Sequence, residues 1–357
     1  MNISVIIPAA DPDANLAVYI KNLIQNKIED IIIVSSAADE ALREFAQEAG
    51  AYPQVTVITE SRSGRGAALK AAFRFLSENR PDCDGAVCTF ADGRYPYRSV
   101  EACIKAFEDN PGHVIIGKRD FSGGNIPALK RIGLSLSSHI YRFGMGIKLS
   151  DTQSSLRLVP AEYFGFFSSL PGDGAGYETR MLTGIVNSNI PYAEVSADAV
   201  CVSAKKSENF SSLKDKIIIY GIVLTYFIKF ALSSVSSYLI DMGVYAVLLA
   251  LLQNTLGIGS QVLICTVVSR TISSIFNYII NRKTVFRSTD NFAGTTVKYY
   301  VLVLIKLAAS YGLIYLITYI LNITGFVQLI VKALVDIVLF VFSFYFQRIW
   351  VFKNKKA

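Results

Sequence analysis

Two apolar patterns divide the chain. Over the first two hundred residues, short β-rich runs alternate with segments of helical period. Residues 4–7, 30–34, 55–59 and 86–89 read as strands. Residues 15–26, 38–46, 66–77 and 100–108 read as helices, and 127–144 as a further helical stretch. The alternation predicts βαβ units and a mostly parallel sheet covered by helices. Sheets of that kind bind ligands at the carboxyl ends of their strands, so sites are expected just after Pro8, Val34, Thr59 and Thr89.

Beyond residue 212 the apolar runs lengthen. Residues 217–228 are uncharged between Lys216 and Lys229. As a helix they cover about 18 Å, short of the roughly 30 Å hydrocarbon core, and they are expected to lie at a membrane interface. Residues 230–252, 262–280, 299–320 and 326–346 are long enough to span. The expected division is an α/β domain over 1–212, an interfacial helix over 213–228 and a four-span bundle over 229–357.

Composition sharpens this. Of 357 residues 52% are hydrophobic and only 18% charged, against about 25% charged in an ordinary soluble domain. The net charge of +7 is unevenly placed. Residues 1–216 carry 23 Lys and Arg against 25 Asp and Glu, a net of −2, and residues 217–357 carry 12 against 3, a net of +9. The excess sits in the apolar third, which excludes a basic soluble nucleic-acid binder. The loops around 254–260 and 322–325 hold no Lys or Arg, whereas Lys214, Lys216, Lys229, Arg282, Lys283, Arg287, Lys298, Arg348 and Lys353 lie on the other side. By the positive-inside rule both termini are expected in the cytoplasm of a multi-pass plasma-membrane protein. The N-terminus lacks the pattern of a signal peptide and reads as a buried strand. Five scattered cysteines without a C-x-x-C pair, and His113 and His139 alone, indicate neither a disulfide framework nor a zinc site.

Within the spans, Asn281-Arg282-Lys283-Thr284-Val285-Phe286-Arg287 ends the second and Gln347-Arg348-Ile349-Trp350-Val351-Phe352-Lys353 the fourth. These read either as a parallel repeat of two hairpins or as the basic-aromatic ends common to cytosolic exits. Asp241, Arg270 and Asp336 each lie 12 residues from a cytoplasmic basic residue (Lys229, Arg282, Arg348), about 18 Å along a helix. An unpaired charge near mid-bilayer costs at least ~2.5–3.5 kcal/mol. The three are therefore expected to face one another, as a structural salt bridge or as a polar site admitting a headgroup or an ion. Lys332, four residues before Asp336, can neutralise the second acid.

Four loops carry candidate chemistry. Pro8-Ala9-Ala10-Asp11-Pro12 follows the first strand. Arg62-Ser63-Gly64-Arg65-Gly66 opens a helix and offers backbone N–H groups to phosphate, or is a tight turn with a solvated Arg. Thr89-Phe90-Ala91-Asp92-Gly93-Arg94 places an acid after an apolar strand, as a metal ligand or as a turn Asp. Ser150-Asp151-Thr152-Gln153-Ser154-Ser155-Leu156-Arg157 is dense in polar groups.

Together these residues resemble the polyprenyl-phosphate glycosyltransferases of glycosyltransferase family 2, of the dolichyl-phosphate mannosyltransferase type. The resemblance is carried by Gly117-Lys118-Arg119-Asp120-Phe121-Ser122-Gly123, by Ser150-Asp151-Thr152-Gln153 with Leu156-Arg157, and by Tyr177-Glu178-Thr179-Arg180-Met181-Leu182. Residues 230–247, 269–286 and 335–352 resemble the GtrA-like membrane domain appended to some of these enzymes.

The resemblance implies a GT-A fold and inverting transfer of a sugar from a nucleotide-diphosphate sugar to polyprenyl phosphate on the cytosolic leaflet, in cell-envelope polysaccharide synthesis. It implies that Asp92 binds Mg²⁺ or Mn²⁺, and that Pro8, Ser35, Ser36, Gly64, Arg65, Gly66, Ala91 and Arg94 line the nucleotide-sugar side. Arg119 and Arg131 are implied for the lipid phosphate, and Asp92, Asp151, Gln153 and Arg119 for catalysis. Other partners are membrane lipids and, through the spans, further copies of the chain. This sequence departs from the family where nucleotide and metal would bind. Phe90 replaces the first acid of the Asp-Ala-Asp pair, Arg94 a Gln, Ser35-Ser36 an acidic pair, Ala10 an aromatic and Arg62 an Asn. Arg62, Arg65 and Arg94 either substitute for metal charge or mark a domain that binds lipid phosphate without transfer and loads or regulates the bundle. A plain transporter with an accessory domain is the third reading.

Overall fold

The computed structural model describes residues 1–9, 14–36, 52–119, 128–174, 176–198, 213–252, 258–321 and 326–352. The helix expected near 38–46 lies outside them. The chain forms two compact units, residues 1–224 and 225–357.

Among the described residues the first unit holds seven strands: β1 (Ile3–Ala9), β2 (Asp30–Ser36), β3 (Val55–Glu60), β4 (Gly85–Cys88), β5 (Val114–Arg119), β6 (Arg157–Pro160) and β7 (Tyr192–Ala197). They form one sheet in the order β3-β2-β1-β4-β6-β5-β7. Every pairing is parallel except those of β6, which runs antiparallel to β4 and β5. This is the mostly parallel GT-A-like arrangement. Strands β1, β2 and β4 are near-continuous apolar runs because both their faces are covered. Val5, Ile7, Ile31 and Ile33 pack into one apolar cluster, and Ile6, Ile32 and Val34 into the other.

Helices α1 (Ala14–Gln25), α2 (Arg65–Asn79), α3 (Tyr97–Asp109), α4 (Ala128–Met145), α5 (Phe164–Ser168), α6 (Tyr177–Asn187) and α7 (Leu213–Val223) complete the unit. Close glycine contacts dock α7. A Cβ on Gly144 of α4 would lie 2.3 Å from the Val223 carbonyl oxygen, and one on Gly176 would lie 2.7 Å from Ile222 Cδ1. The interfacial helix expected over 213–228 is thus shorter: it ends at Val223, and residues 225–228 start the first span. Aromatic packing explains the division, since Phe227 joins Phe340 and Phe344 with centroids at 5.8 and 5.2 Å.

The second unit holds α8 (Thr225–Leu252), α9 (Ile258–Ile280), α10 (Phe292–Ile320) and α11 (Phe326–Phe346). Among the described residues, four helical segments are long and apolar enough to cross a membrane: Thr225–Leu252, Ser260–Val285, Phe292–Ile320 and Ile330–Val351. The repeated motif takes one form twice. Asn281–Val285 and Gln347–Val351 are both π-helical turns, in which Phe286 and Phe352 N–H groups donate to Asn281 and Gln347 carbonyls at 2.8 Å. The two copies meet: Asn281 Nδ2 donates to Gln347 Oε1 at 3.1 Å, and the Phe286 and Phe352 rings stack 5.3 Å apart. That favours the repeat over coincidental basic-aromatic ends.

Candidate functional site

The parallel strands bring their carboxyl ends to one edge, where Pro8 pairs with Val34 and Ala9 with Ser35. Ser35 is buried. Residues 10–13 and the Ser36 side chain lie outside the described residues. At the end of β3, Glu60 accepts from Arg62 Nε at 3.1 Å and pairs with Arg74 at 3.3 Å. The hydrogen bonds from Arg62 hold the Glu60 carboxyl down at about 2.

The glycine loop has another employment than a phosphate cradle. Gly64 adopts φ +110°, and a Cβ there would sit 2.4 Å from the Asp173 carbonyl oxygen. A Cβ on Gly66 would lie 2.5 Å from Tyr177 Cβ. The Ala67 N–H donates to the Asp173 carbonyl at 3.2 Å. The glycines therefore admit Asp173 and Tyr177, and this helix N-terminus has a protein carbonyl where the sequence suggested phosphate. Lys70, buried within α2, pairs with the Asp173 carboxylate.

Arg65 points the other way. Its Nε donates to Glu178 Oε1 at 3.1 Å and its Nη2 to the Thr89 carbonyl at 3.1 Å. Glu178 also accepts from the Ser155 hydroxyl at 2.9 Å. Burial works against the Glu178 carboxylate, yet Arg65, Arg157 and Ser155 together hold its pKa below the usual value.

After β4 the chain turns through Gly93 at φ +67°. Arg94 folds back on Asp92: its Nε lies 3.0 and 2.9 Å from the two carboxylate oxygens, its Nη2 2.5 Å from Oδ2, and its backbone N–H 3.1 Å from Oδ1. The guanidinium carbons of Arg65 and Arg94 lie 3.9 and 4.0 Å from the centroid of the Phe90 ring. Divalent Mg²⁺ or Mn²⁺ requires hard oxygen ligands. Here the Asp92 carboxylate is held at both oxygens by Arg94, and the place of the pair's first acid is taken by the Phe90 ring, with the Arg65 and Arg94 guanidinium groups against it. No group of three His, Cys, Asp or Glu among the described residues is arranged to hold a metal. The donor set at Asp92 does not fit the ion that the resemblance implies.

The polar loop before β6 lies beside this turn. Arg119, the last residue of β5, donates from Nε to Asp151 Oδ2 at 2.6 Å and from Nη2 to Oδ1 at 2.9 Å. Asp151 also accepts from the Gln153 N–H at 3.1 Å, and its side chain is 0% exposed. Asp151 thus ties the loop to Arg119 and to the Gln153 backbone. The Arg131 side chain lies outside the described residues.

Beyond the loop is a cavity of about 190 Å³, lined among others by Gln153, Arg157, Glu178, Lys216, Ile219 and Tyr220. Arg157 is 3% exposed. It donates to two carbonyls, those of Glu178 at 2.9 Å and Ser154 at 3.4 Å, and its Nε has no hydrogen-bond partner. Each acid here already has its cation: Asp92 has Arg94, Glu178 has Arg65, Asp151 has Arg119. Arg157 is the surplus charge. Sequence reasoning quoted its motif without assigning it, and took Lys216 only as the edge of an apolar run.

The membrane charges do not form one constellation. Asp241 pairs with Arg270 at 3.4 Å and accepts from the Ser273 hydroxyl at 3.3 Å. Asp336 instead pairs with Lys332 at 2.6 Å on its own helix and accepts from Ser310 at 3.1 Å. Lys306 on α10, overlooked in the sequence, also acts on Asp336 electrostatically. Equal depth did not bring the pairs together because Asp336 finds cations on its own hairpin.

Residues 4–165 match glycosyl transferase family 2, and residues 229–352 match the GtrA/DPMS transmembrane domain. Glycosyltransferase AglJ of Haloferax volcanii is 24% identical over 181 residues, 50% of this chain and 56% of that protein. The chain thus spans about half the length of this curated relative. Similar solved structures include a mycobacterial protein, 20% identical with TM-score 0.44, covering 63% of this chain and 74% of that one. Another is mannosyl-3-phosphoglycerate synthase from Rubrobacter xylanophilus, 16% identical with TM-score 0.45, covering 63% and 72%.

Proposed function

We infer that this chain, a glycosyl transferase family 2 domain joined to a GtrA/DPMS transmembrane domain, transfers a sugar from a nucleotide-diphosphate sugar to polyprenyl phosphate with inversion. The reaction takes place on the cytosolic leaflet of the plasma membrane, with both termini in the cytoplasm. The observation that carries the lipid-phosphate acceptor is the cavity between the 152–154 loop and α7, where surplus Arg157 and Lys216 meet the apolar Ile219 and Tyr220. Helix α7 also exposes Leu213, Ile217 and Ile218, the kind of face that rests in a bilayer interface.

A phosphate oxygen of the acceptor attacks the anomeric carbon as its bond to the nucleoside diphosphate breaks. A phosphate monoester has a second pKa of about 6, so the nucleophile is already anionic and no strong base is required. The protein supplies placement and countercharge. Arg157 and Lys216 hold the acceptor phosphate, Gln153 lines the same cavity, and the Arg119–Asp151 pair positions the loop. We also propose self-association through the spans. It is supported by Arg270, Lys332 and Asp336, whose side chains are 72%, 55% and 47% exposed where lipid would leave them unsolvated.

A second reading keeps the lipid-phosphate site without transfer, with the domain loading or regulating the bundle; the closure of Asp92 by Arg94 favours it. The two are separated by giving the full chain, in nanodiscs, a panel of radiolabelled nucleotide sugars and a short polyprenyl phosphate. Labelled lipid, reduced by Lys216→Ala, is expected. Lipid phosphate bound with no product from any donor establishes the second reading, and binding of neither substrate refutes both.

A further inference from the structure

Phe90 stands where the glycosyltransferases that this sequence resembles carry an acid, and its surroundings show what the exchange does. A carboxylate there would pair with Arg65 and Arg94 and neutralise them. A phenyl ring attracts guanidinium groups to its face but takes up none of their N–H donors, so each arginine keeps a single acidic partner, Glu178 for Arg65 and Asp92 for Arg94. The ring is itself anchored, stacking on the buried Tyr95 with centroids 6.3 Å apart. Tyr95 in turn shares a hydrogen bond with Ser154 at 3.3 Å. Each arginine is oriented a second time by its own acid, Arg65 by Glu178 at 3.1 Å and Arg94 by Asp92 at 2.5 Å. Arg94 uses both Nε and Nη2 on Asp92, whereas Arg65 uses Nε on Glu178 and Nη2 on the Thr89 carbonyl, and neither Nη1 has a hydrogen-bond partner among the described residues.

We propose that Arg65, Phe90 and Arg94 form a metal-free diphosphate clamp, in which two guanidinium groups held over one ring supply the countercharge to a nucleoside diphosphate. The proposal rests on the nucleotide-diphosphate donor inferred above. With both guanidinium carbons within 4.0 Å of one ring centroid, the two forks are close enough to reach one diphosphate together. Guanidinium matches phosphate oxygens in a planar, bidentate fashion and is always charged, so it can neutralise a leaving diphosphate without a cation. The same arrangement closes Asp92 to a divalent cation, because the Arg94 guanidinium already holds both of its carboxylate oxygens.

Full-length protein in phosphatidylcholine nanodiscs would be titrated calorimetrically with UDP, GDP and inorganic pyrophosphate, once in EDTA and once in Mn²⁺, while electron paramagnetic resonance follows bound Mn²⁺. The expected result is diphosphate affinity that is the same within about twofold in both buffers, and no stoichiometric Mn²⁺ site. Losing a hydrogen-bonding partner of a charged ligand costs about tenfold or more in affinity, and that loss is expected for Arg94→Gln. Phe90→Leu, which keeps the apolar volume but removes the ring face, should weaken binding in the same direction. The double variant Phe90→Asp/Arg94→Gln should acquire a bound-Mn²⁺ signal. Binding that requires Mn²⁺ overturns the clamp and leaves the donor reading standing. Failure of all three probes in both buffers overturns the clamp and the donor reading together.

Discussion

Glu178 ties the candidate site to the stability of the α/β unit, and its charge can be removed at constant shape. Glu178→Gln keeps the volume and an acceptor for Ser155 but takes away the carboxylate that Arg65 meets at 3.1 Å. Arg157 is buried beside it. Both side chains of the Arg65–Glu178 pair are well shielded, at 15% and 13% exposure. Breaking a buried pair on one side costs about 3–5 kcal/mol, and the retained hydrogen bonds place this variant near the lower figure. For a unit of this size 1 kcal/mol shifts the midpoint by about 2–4 °C, so a loss of roughly 6–12 °C is expected.

Thiol labelling on heating reads the unit selectively. Cys88 and Cys103 are buried, and burial pushes both thiols up to about 12, so they react only on unfolding. Cys83, Cys201 and Cys265 would be replaced by Ser. The pH dependence follows from the lowered pKa of Glu178. Its stabilisation is complete above the unfolded carboxyl value of about 4.3 and is lost as the pH falls through the lower folded value. The gap between wild type and variant should narrow as the pH drops below about 4. A variant that melts with wild type at neutral pH, or a gap that ignores acidification, would refute the charge argument.

Gly66→Ala forces a methyl to 2.5 Å from Tyr177 Cβ. It should lower the same melting point by the equivalent of about 1–3 kcal/mol with or without UDP, whereas a purely nucleotide-binding glycine would affect affinity alone. Asp241→Lys places two cations together near Ser273 and should abolish accumulation of folded protein, measured by detergent size-exclusion of a fluorescent fusion. Arg270→Asp in the same chain should partly restore it, and no rescue would count against direct pairing. Arg119→Lys loses the two-pronged grip on Asp151 and should lower lipid-sugar formation by about tenfold, with circular dichroism unchanged. A full-rate variant would remove Arg119 from the positioning role.

Much of the architecture was legible because local chemistry enforces it. Strands buried on both faces must be apolar throughout, which exposed β1, β2 and β4, while the partly buried β3 showed through the β-branched residues of its 55–59 run. Spans must stay apolar over about 20 residues, which exposed all four. Strands β5, β6 and β7 were missed. Val114-Ile115-Ile116 is a short apolar run, Arg157–Pro160 has four residues, and β7 is only partly buried. The antiparallel insertion of β6 between β4 and β5 is a non-local pairing that no window along the chain registers.

The sequence by itself determined the two-unit plan, the apolar spans, and which residue types crowd the ends of the strands. It also showed that the acid at position 90 was gone. Only the tertiary structure decided what each charge meets. Arg65 finds Glu178, 113 residues away, and Arg119 finds Asp151, 32 away, while Arg94 closes on its near neighbour Asp92. Coulomb attraction depends on distance through space and on burial, so chain separation cannot rank these partners. The same holds for Phe90: its loss of a carboxylate is visible in one letter, but the two arginines over its ring exist only after folding.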